Sequence, residues 1–233
     1  MTVKERLVKV KEKINAAANR VGRDPEEIKL VAVSKRQSLD KIKKIVAEGI
    51  LNFGESRVQE LREKYGNLEQ EVNWHMVGHL QRNKVKYITR MDRCELIHSL
   101  DSLRLAKKIN KRAKMEDRKM NVLVQVNTAE DENKYGFMSE EVIDFLREIS
   151  SLKHLRVKGL MTIAPYVEDS EEVRPYFRKL RKLANQIKAN KIPGVEMKEL
   201  SMGMSNDLEV AIEEGATIIR VGSAIFGPRN YNK

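Results

Sequence analysis

Lys35 closes the run Lys29-Leu30-Val31-Ala32-Val33-Ser34-Lys35, and an amine in that place has a definite chemistry open to it. A short apolar stretch rich in β-branched residues reads as a buried strand, so its last lysine stands at the strand's carboxyl end, facing a site. Partial desolvation there lowers an ammonium's pKa and leaves more neutral amine to attack an aldehyde, forming a Schiff base. The same residue equally marks where a strand meets water, as most of the 45 lysines and arginines do. Other residues must decide.

Two further stretches carry such residues: Ser201-Met202-Gly203-Met204-Ser205, and Arg220-Val221-Gly222-Ser223. Ser201 and Ser223 offer hydroxyl donors, and Gly203 and Gly222 let backbone N–H groups come close to an anion. A helix over 207–214 begins just beyond the first stretch, and helix N-termini favour phosphate. The alternative is an ordinary turn in which Ser205 or Asn206 caps that helix. Arg220 interrupts the apolar run Thr217-Ile218-Ile219-Arg220-Val221-Gly222, so its guanidinium must find an acceptor near the strand's end.

The histidines are less informative. His75 and His79 have the spacing of a metal pair on a helix, but Gly78 between them marks a strand end and no acidic or cysteine partner is near in sequence. His98 and His154 read as structural histidines with satisfied hydrogen bonds. Met202 and Met204 read as packing around a ligand. Lys134, before Gly136, sits in a charged loop where it attracts an anion or is simply solvated.

These groups meet only if the fold gathers the strand ends. Strand-like runs recur at 29–35, 50–54, 72–78, 94–99, 120–126, 155–162, 195–201 and 217–222, and helical apolar spacing fills the intervals between them. One more helix precedes the first strand, with Val3, Leu7, Val10, Ile14, Ala17 and Val21 on one stripe. Eight strands alternating with helices, without a proline-rich or glycine-rich linker, predict an α/β fold: a single (β/α)8 TIM-type barrel over residues 1–233 with one extra N-terminal helix. In such a barrel the chemistry sits at the carboxyl ends of the strands, and phosphate often binds at the loops after strands seven and eight. Lys35 and both Ser/Gly stretches fall there.

Composition bounds the remaining classes. A chain of 233 residues that is 41% apolar can bury a full core, and the single Cys94 excludes an internal disulfide. There is no apolar run of membrane-spanning length and no secretory leader, so a cytoplasmic protein without a membrane partner is expected. The net charge of +11 invites a nucleic-acid reading, but the basic residues are dispersed among acids and aromatics make up only 5% of the chain. Little is available on which bases could stack, and no nucleic-acid partner is expected.

A Schiff-base lysine after strand one and a phosphate cup after strands seven and eight together describe a pyridoxal 5′-phosphate (PLP) site. At this point the chain resembles the pyridoxal phosphate homeostasis proteins, whose barrel is similar to the N-terminal domain of alanine racemase. The matching runs are Leu30 to Lys35, Phe53-Gly54-Glu55 with Val58-Gln59-Glu60, Trp74-His75 with Gly78 and Leu80-Gln81, Gly159-Leu160-Met161, Leu200 to Ser205, and Arg220 to Gly227. They span nearly the whole chain in order. The resemblance implies that Lys35 carries the aldimine, that Ser201, Gly222 and Ser223 hold the phosphate, and that Arg220 lies against the pyridine nitrogen. His75, Met202 and Gly203 complete the expected cofactor-binding set together with Ser56. At Ser56 the family usually has asparagine, and the shorter side chain loses a contact.

The implied function is to hold PLP and take part in intracellular vitamin B6 homeostasis, without a defined catalytic reaction and with apo PLP-dependent enzymes as recipients, as a monomer or weak dimer. The rival is a PLP-dependent racemase or decarboxylase. Such barrel enzymes bring a second domain with an acid–base residue, and a chain that runs to Lys233 is expected to lack one.

Overall fold

In the computed structural model, which describes residues 1–228, eight parallel strands close into a barrel in sequence order. The end of the expected domain, 229–233, lies outside the described residues. The strands are β1 (Lys29–Val33), β2 (Asn52–Glu55), β3 (Asn73–Met76), β4 (Cys94–Leu100), β5 (Met120–Gln125), β6 (Leu155–Met161), β7 (Val195–Ser201) and β8 (Ile218–Val221). The helices are α1 (Val3–Arg20), α2 (Leu39–Val46), α3 (Val58–Asn67), α4 (Val85–Ile88), α5 (Leu103–Met115), α6 (Val142–Ile149), α7 (Arg174–Ala189), α8 (Leu208–Glu213) and α9 (Ser223–Phe226). β8 pairs with β1, Leu30 opposite Ile219 and Ala32 opposite Val221, and so completes the barrel predicted from the alternating pattern.

Each helix turns its apolar stripe onto the strands. On α5, Leu105, Ala106, Ile109 and Ala113 are buried at helical spacing, and on α7 Phe177, Leu180, Leu183, Ala184 and Ile187 are. α1 begins with a capping box in which Thr2 and Glu5 satisfy each other's backbone N–H. Its buried stripe, Leu7, Val10, Ile14 and Ala17, packs across α8 and α9, the last helices of the barrel. Arg20 then pairs with Glu209 and Glu213, at 2.9 and 2.8 Å.

Inside the barrel a small apolar layer is formed by Val31, Leu96, Leu123, Met161 and Ile218. Strand side chains alternate with a period of two, so Val33, His98, Gln125 and Arg220 lie one step nearer the carboxyl ends on the same inner face. The interior therefore changes from apolar to polar towards the mouth, and that change prepares the site. Among the described residues no helix is long and apolar enough to cross a membrane.

Candidate cofactor site at the barrel mouth

A cavity of about 530 Å³ opens at the carboxyl ends of the strands. Lys35 enters it from the turn after β1, Ser56 from the end of β2, and Val77 and Gly78 from the end of β3. The segment after β6 contributes Ile163 to Val167, the loop after β7 contributes Met204 to Asp207, and β8 and its loop contribute Arg220, Gly222 and Ser223. Gly78 packs so closely on Ser56 that a Cβ there would stand 2.4 Å from the Ser56 carbonyl oxygen. Only glycine allows the two loops to meet at that edge.

Lys35 sits two residues beyond β1 and half-buried, on a turn whose next residue, Arg36, has φ of +60°. Charged side chains fix this turn from below. Lys64, only 5% exposed, donates at 2.7 Å to the Ser34 carbonyl, to Glu55 Oε1 and to Glu60 Oε1. Ser34 Oγ also donates to Glu55 Oε1 at 2.7 Å, and the Arg36 N–H donates to Glu60. The residues on both sides of Lys35 are thus anchored to one buried ionic cluster. Among the described residues Glu55 Oε2 has no hydrogen-bond partner. Burial pushes the Glu55 carboxyl above its ordinary range, against the opposing pull of Lys64.

Arg220, 5% exposed, ends a hydrogen-bonded line that crosses the barrel interior. Its Nη1 donates to Ser201 Oγ at 2.6 Å and its Nη2 to the Thr162 carbonyl at 2.9 Å. Ser201 Oγ is 2.9 Å from His98 Nδ1, His98 Nε2 is 2.9 Å from His75 Nδ1, and His75 Nε2 is 3.2 Å from Asn52 Oδ1. A guanidinium can only donate, so Ser201 Oγ accepts from Arg220, and the acceptor Asn52 Oδ1 at the far end of this line of neutral imidazoles leaves the Ser201 hydroxyl as the donor to His98 Nδ1. That leaves His98 Nε2–H to donate to His75 Nδ1, and His75 Nε2–H to donate to Asn52. Burial holds both imidazoles neutral: the His75 pKa falls to about 3, and that of His98 well below its ordinary value. Burial also lowers Arg220, to about 10, with Asp207 opposing the shift, and it remains protonated at neutral pH.

At the opposite corner, Ser205 Oγ accepts from the Ala224 N–H at 3.2 Å and lies 3.1 Å from Ser223 Oγ. Asp207 Oδ1 accepts from the Met204 N–H at 2.5 Å, which closes the loop. Gly203 starts this loop with φ of +91°, and a Cβ there would be 2.5 Å from that of Ala211. The cavity therefore carries an amine, a guanidinium and a pair of hydroxyls on separate walls.

The profile of the family described as the alanine racemase N-terminal domain matches residues 6–230. A pyridoxal phosphate homeostasis protein from Aquifex aeolicus is 44% identical over 99% of this chain and 100% of its own length. The chain belongs to the pyridoxal phosphate homeostasis protein family. The structure of PipY from Synechococcus elongatus with PLP bound superimposes with a TM-score of 0.83 at 32% identity, covering 97% of this chain and 100% of that one. An alanine racemase from Clostridium difficile shares the fold, with a TM-score of 0.77 at 16% identity, but this chain covers only 58% of it.

For this member of the homeostasis family, the expected site residues divide into two groups. Lys35, Ser56, Arg220, Gly222 and Ser223 line the mouth cavity, and Lys134 joins them. His75, Ser201, Met202 and Gly203 do not line it. Ser201 is the last residue of β7 and points inward, where Arg220 and His98 occupy its hydroxyl; the serine that faces Ser223 is Ser205. His75 lies deeper in the same line, and Met202 is fully buried in the outer core. Gly203 shapes the loop rather than lining the cavity. His98 and His154 are hydrogen-bonded, His154 Nδ1 to the Arg118 carbonyl. His79 turns outward to Asp101 at 2.8 Å, well separated from the inward His75 line. Among the described residues no group of three or more His, Cys, Asp or Glu side chains is placed to hold a metal ion. Sequence reasoning missed Tyr166, which projects over the cavity 85% exposed, and the Lys64 cluster. The Glu60/Lys64 spacing of four, next to a glutamate inside a strand, was the available signal for the cluster.

Proposed function

We propose that residues 1–233 form a single PLP-binding barrel domain that holds the cofactor at the mouth through Lys35 and serves intracellular PLP homeostasis rather than amino-acid turnover. The observation that carries this reading is that Lys35, Arg220 and the Ser205/Ser223 pair line one cavity. Its volume of about 530 Å³ falls within the ~300–1,000 Å³ range of small-molecule sites. The donor set fits the group: an amine for its aldehyde, hydroxyls and the glycine backbone at 222 for its phosphate, and Arg220 for its ring nitrogen. PLP bound to PipY, a full-length relative, supports the same assignment.

Bound here, PLP would be held by Lys35, Arg220, Gly222, Ser205 and Ser223 and would supply an aldehyde within reach of the Lys35 amine. The chain's own residues restrict any further chemistry. Arg220 can only donate, and the Ser201–His98–His75 line holds it in that role, so a ring nitrogen against it keeps its lone pair and the ring is a weak electron sink. Racemisation also needs an acid–base group held opposite the lysine. Asp207 is buried with its Oδ1 turned back onto the Met204 N–H of its own loop, and Tyr166 is 85% exposed. Neither is a positioned partner, which supports a carrier, with apo PLP-dependent enzymes as recipients, over a racemase or decarboxylase.

The test is an absorption spectrum of the PLP-loaded protein before and after borohydride, followed by peptide mass spectrometry and incubation with a panel of amino acids. The reading requires the reduced adduct on Lys35 and no sustained turnover. An adduct only on another lysine would overturn the site, and turnover near about 1 per second, in the range of ordinary enzymes, would overturn the carrier role.

A further inference from the structure

A second concavity, of about 1,170 Å³, runs outward between the Leu80 to Asn83 segment and α5. Its charge is one-sided. Arg104, Lys107, Lys108 and Lys111 line it at intervals of three, four and seven along α5, one face of the helix, and Arg82 faces them from the other wall. Asp101 is the one acid lining it, and that carboxylate is hydrogen-bonded to His79.

On the face formed by α7 and α8, basic side chains are matched by acids. Arg174 pairs with Glu171, Glu213 and Glu214, while Arg178 and Arg181 share Glu214. Along the groove, by contrast, Arg82, Arg104, Lys108 and Lys111 have no carboxylate within 4.0 Å among the described residues, and only Lys107 reaches one, Glu148 at 3.7 Å. Self-repulsion of such a stripe is relieved by an anionic partner. The basic face covers 104–111, about 10 Å of helix at ~1.5 Å per residue, the length of a short acidic segment. No Phe, Tyr or Trp lines the groove for bases to stack on, which favours an acidic polypeptide over a nucleic acid.

Position gives this groove its meaning. His79, at its inner end, directly follows Gly78 of the mouth cavity, and the His79 ring stacks at 4.1 Å on Tyr135, which follows Lys134 of that cavity. The stack thus joins residues that directly follow two wall residues of the mouth cavity, Gly78 and Lys134. We infer that the α5 groove docks an acidic segment of a partner protein and holds that partner at the cofactor's exit. The docking surface stands on its own geometry, while its purpose rests on the carrier reading above.

The probe is a fluorescein-labelled ten-residue glutamate peptide, titrated by anisotropy into the full-length holoprotein at low salt, with a ten-residue thymidine oligonucleotide as counter-probe. The variant R104E/K108E/K111E leaves the buried face of α5 untouched. K9E/K44E/K188E is its charge-matched control, altered at exposed positions away from the groove. The groove variant should bind the peptide at least about tenfold more weakly, as expected for several rim charges acting together, and the control should bind within about twofold of the parent. Equal weakening in both variants would overturn the inference, since net charge alone would then explain binding. So would an oligonucleotide that binds tighter than the peptide and is lost in the groove variant only. Cofactor absorption, recorded on the same samples, separates the two ideas. A normal holo spectrum with groove-independent peptide binding removes the docking surface alone, whereas failure to load PLP removes the carrier reading alone.

Discussion

Replacing Lys64 by Met tests whether the buried cluster holds the Lys35 turn. The substitution removes an ammonium that is 7% exposed and leaves Glu55, whose side chain is 0% exposed, without its cation. Breaking one side of a buried pair costs about 3–5 kcal/mol because the survivor is uncompensated. Glu55 can escape part of this cost by taking up a proton, and its carboxyl is already pushed upward by burial. A carboxyl with a raised folded pKa binds more protons folded than unfolded, so its contribution to stability falls as pH rises from the ordinary carboxylate value through the raised one. Without Lys64 that window extends upward, and the deficit of Lys64→Met deepens from pH 5 to pH 8. Guanidinium unfolding of the parent, Lys64→Met, Glu55→Gln and the double variant at both pH values should show a loss near about 3–5 kcal/mol at pH 8. At pH 5 the loss should be less than half as large, and the double variant should recover most of it. The corresponding fall in Tm is about 6–20 °C for a chain of this size. PLP affinity should fall with it, because Ser34 and Arg36 lose their anchors. A loss equal at both pH values, or not recovered in the double variant, would refute the reasoning.

Four further outcomes are expected. Lys35→Ala should retain weakened PLP binding by equilibrium dialysis but lose the imine absorption, and an unchanged spectrum would place the linkage elsewhere. Ser205→Ala combined with Ser223→Ala should weaken PLP by about 1.5–3 kcal/mol per charge-assisted hydrogen bond lost while leaving pyridoxal nearly unaffected; equal losses for both ligands would move the phosphate to another wall. Nitrogen NMR should find both His75 and His98 as the Nε2–H form and untitrated between pH 5 and 8, since burial carries His75 down to about 3 and His98 well below its ordinary value. In Ser201→Ala, which orphans one Arg220 N–H and His98 Nδ1, stability should drop by about 1–3 kcal/mol, and no drop would mean that the line is not continuous.

The barrel was legible in the sequence because β-branched runs and helical stripes alternate with little else between them, and β7 was read to the residue. Lys35 and Arg220 were legible for a related reason, each being a cation at or inside an apolar strand. Ser201 was read into the cup because a serine two residues before a glycine at a strand end resembles a phosphate loop. Strand alternation turns it inward onto Arg220 and His98, and the loop first lines the mouth three residues later, at Met204, with Ser205 next. Lys64 was invisible because a lysine on an amphipathic helix is normally solvated, and its burial depends on β2 placing Glu55 beneath it. Tyr166 lies in a segment without periodicity, where sequence carries no signal of direction.

The N-terminal helix has a consequence for synthesis. The stripe of Leu7, Val10, Ile14 and Ala17 is covered by α8 and α9, and the ion pairs of Arg20 lie on Glu209 and Glu213. A ribosome adds about 5–20 residues per second, so roughly 10–40 s pass between the first helix and its docking surface. Throughout that interval the amphipathic segment has α2 and Glu48 to pack on but not the α8 and α9 faces that cover its stripe. Closure of the barrel likewise waits on β8, which pairs back onto β1.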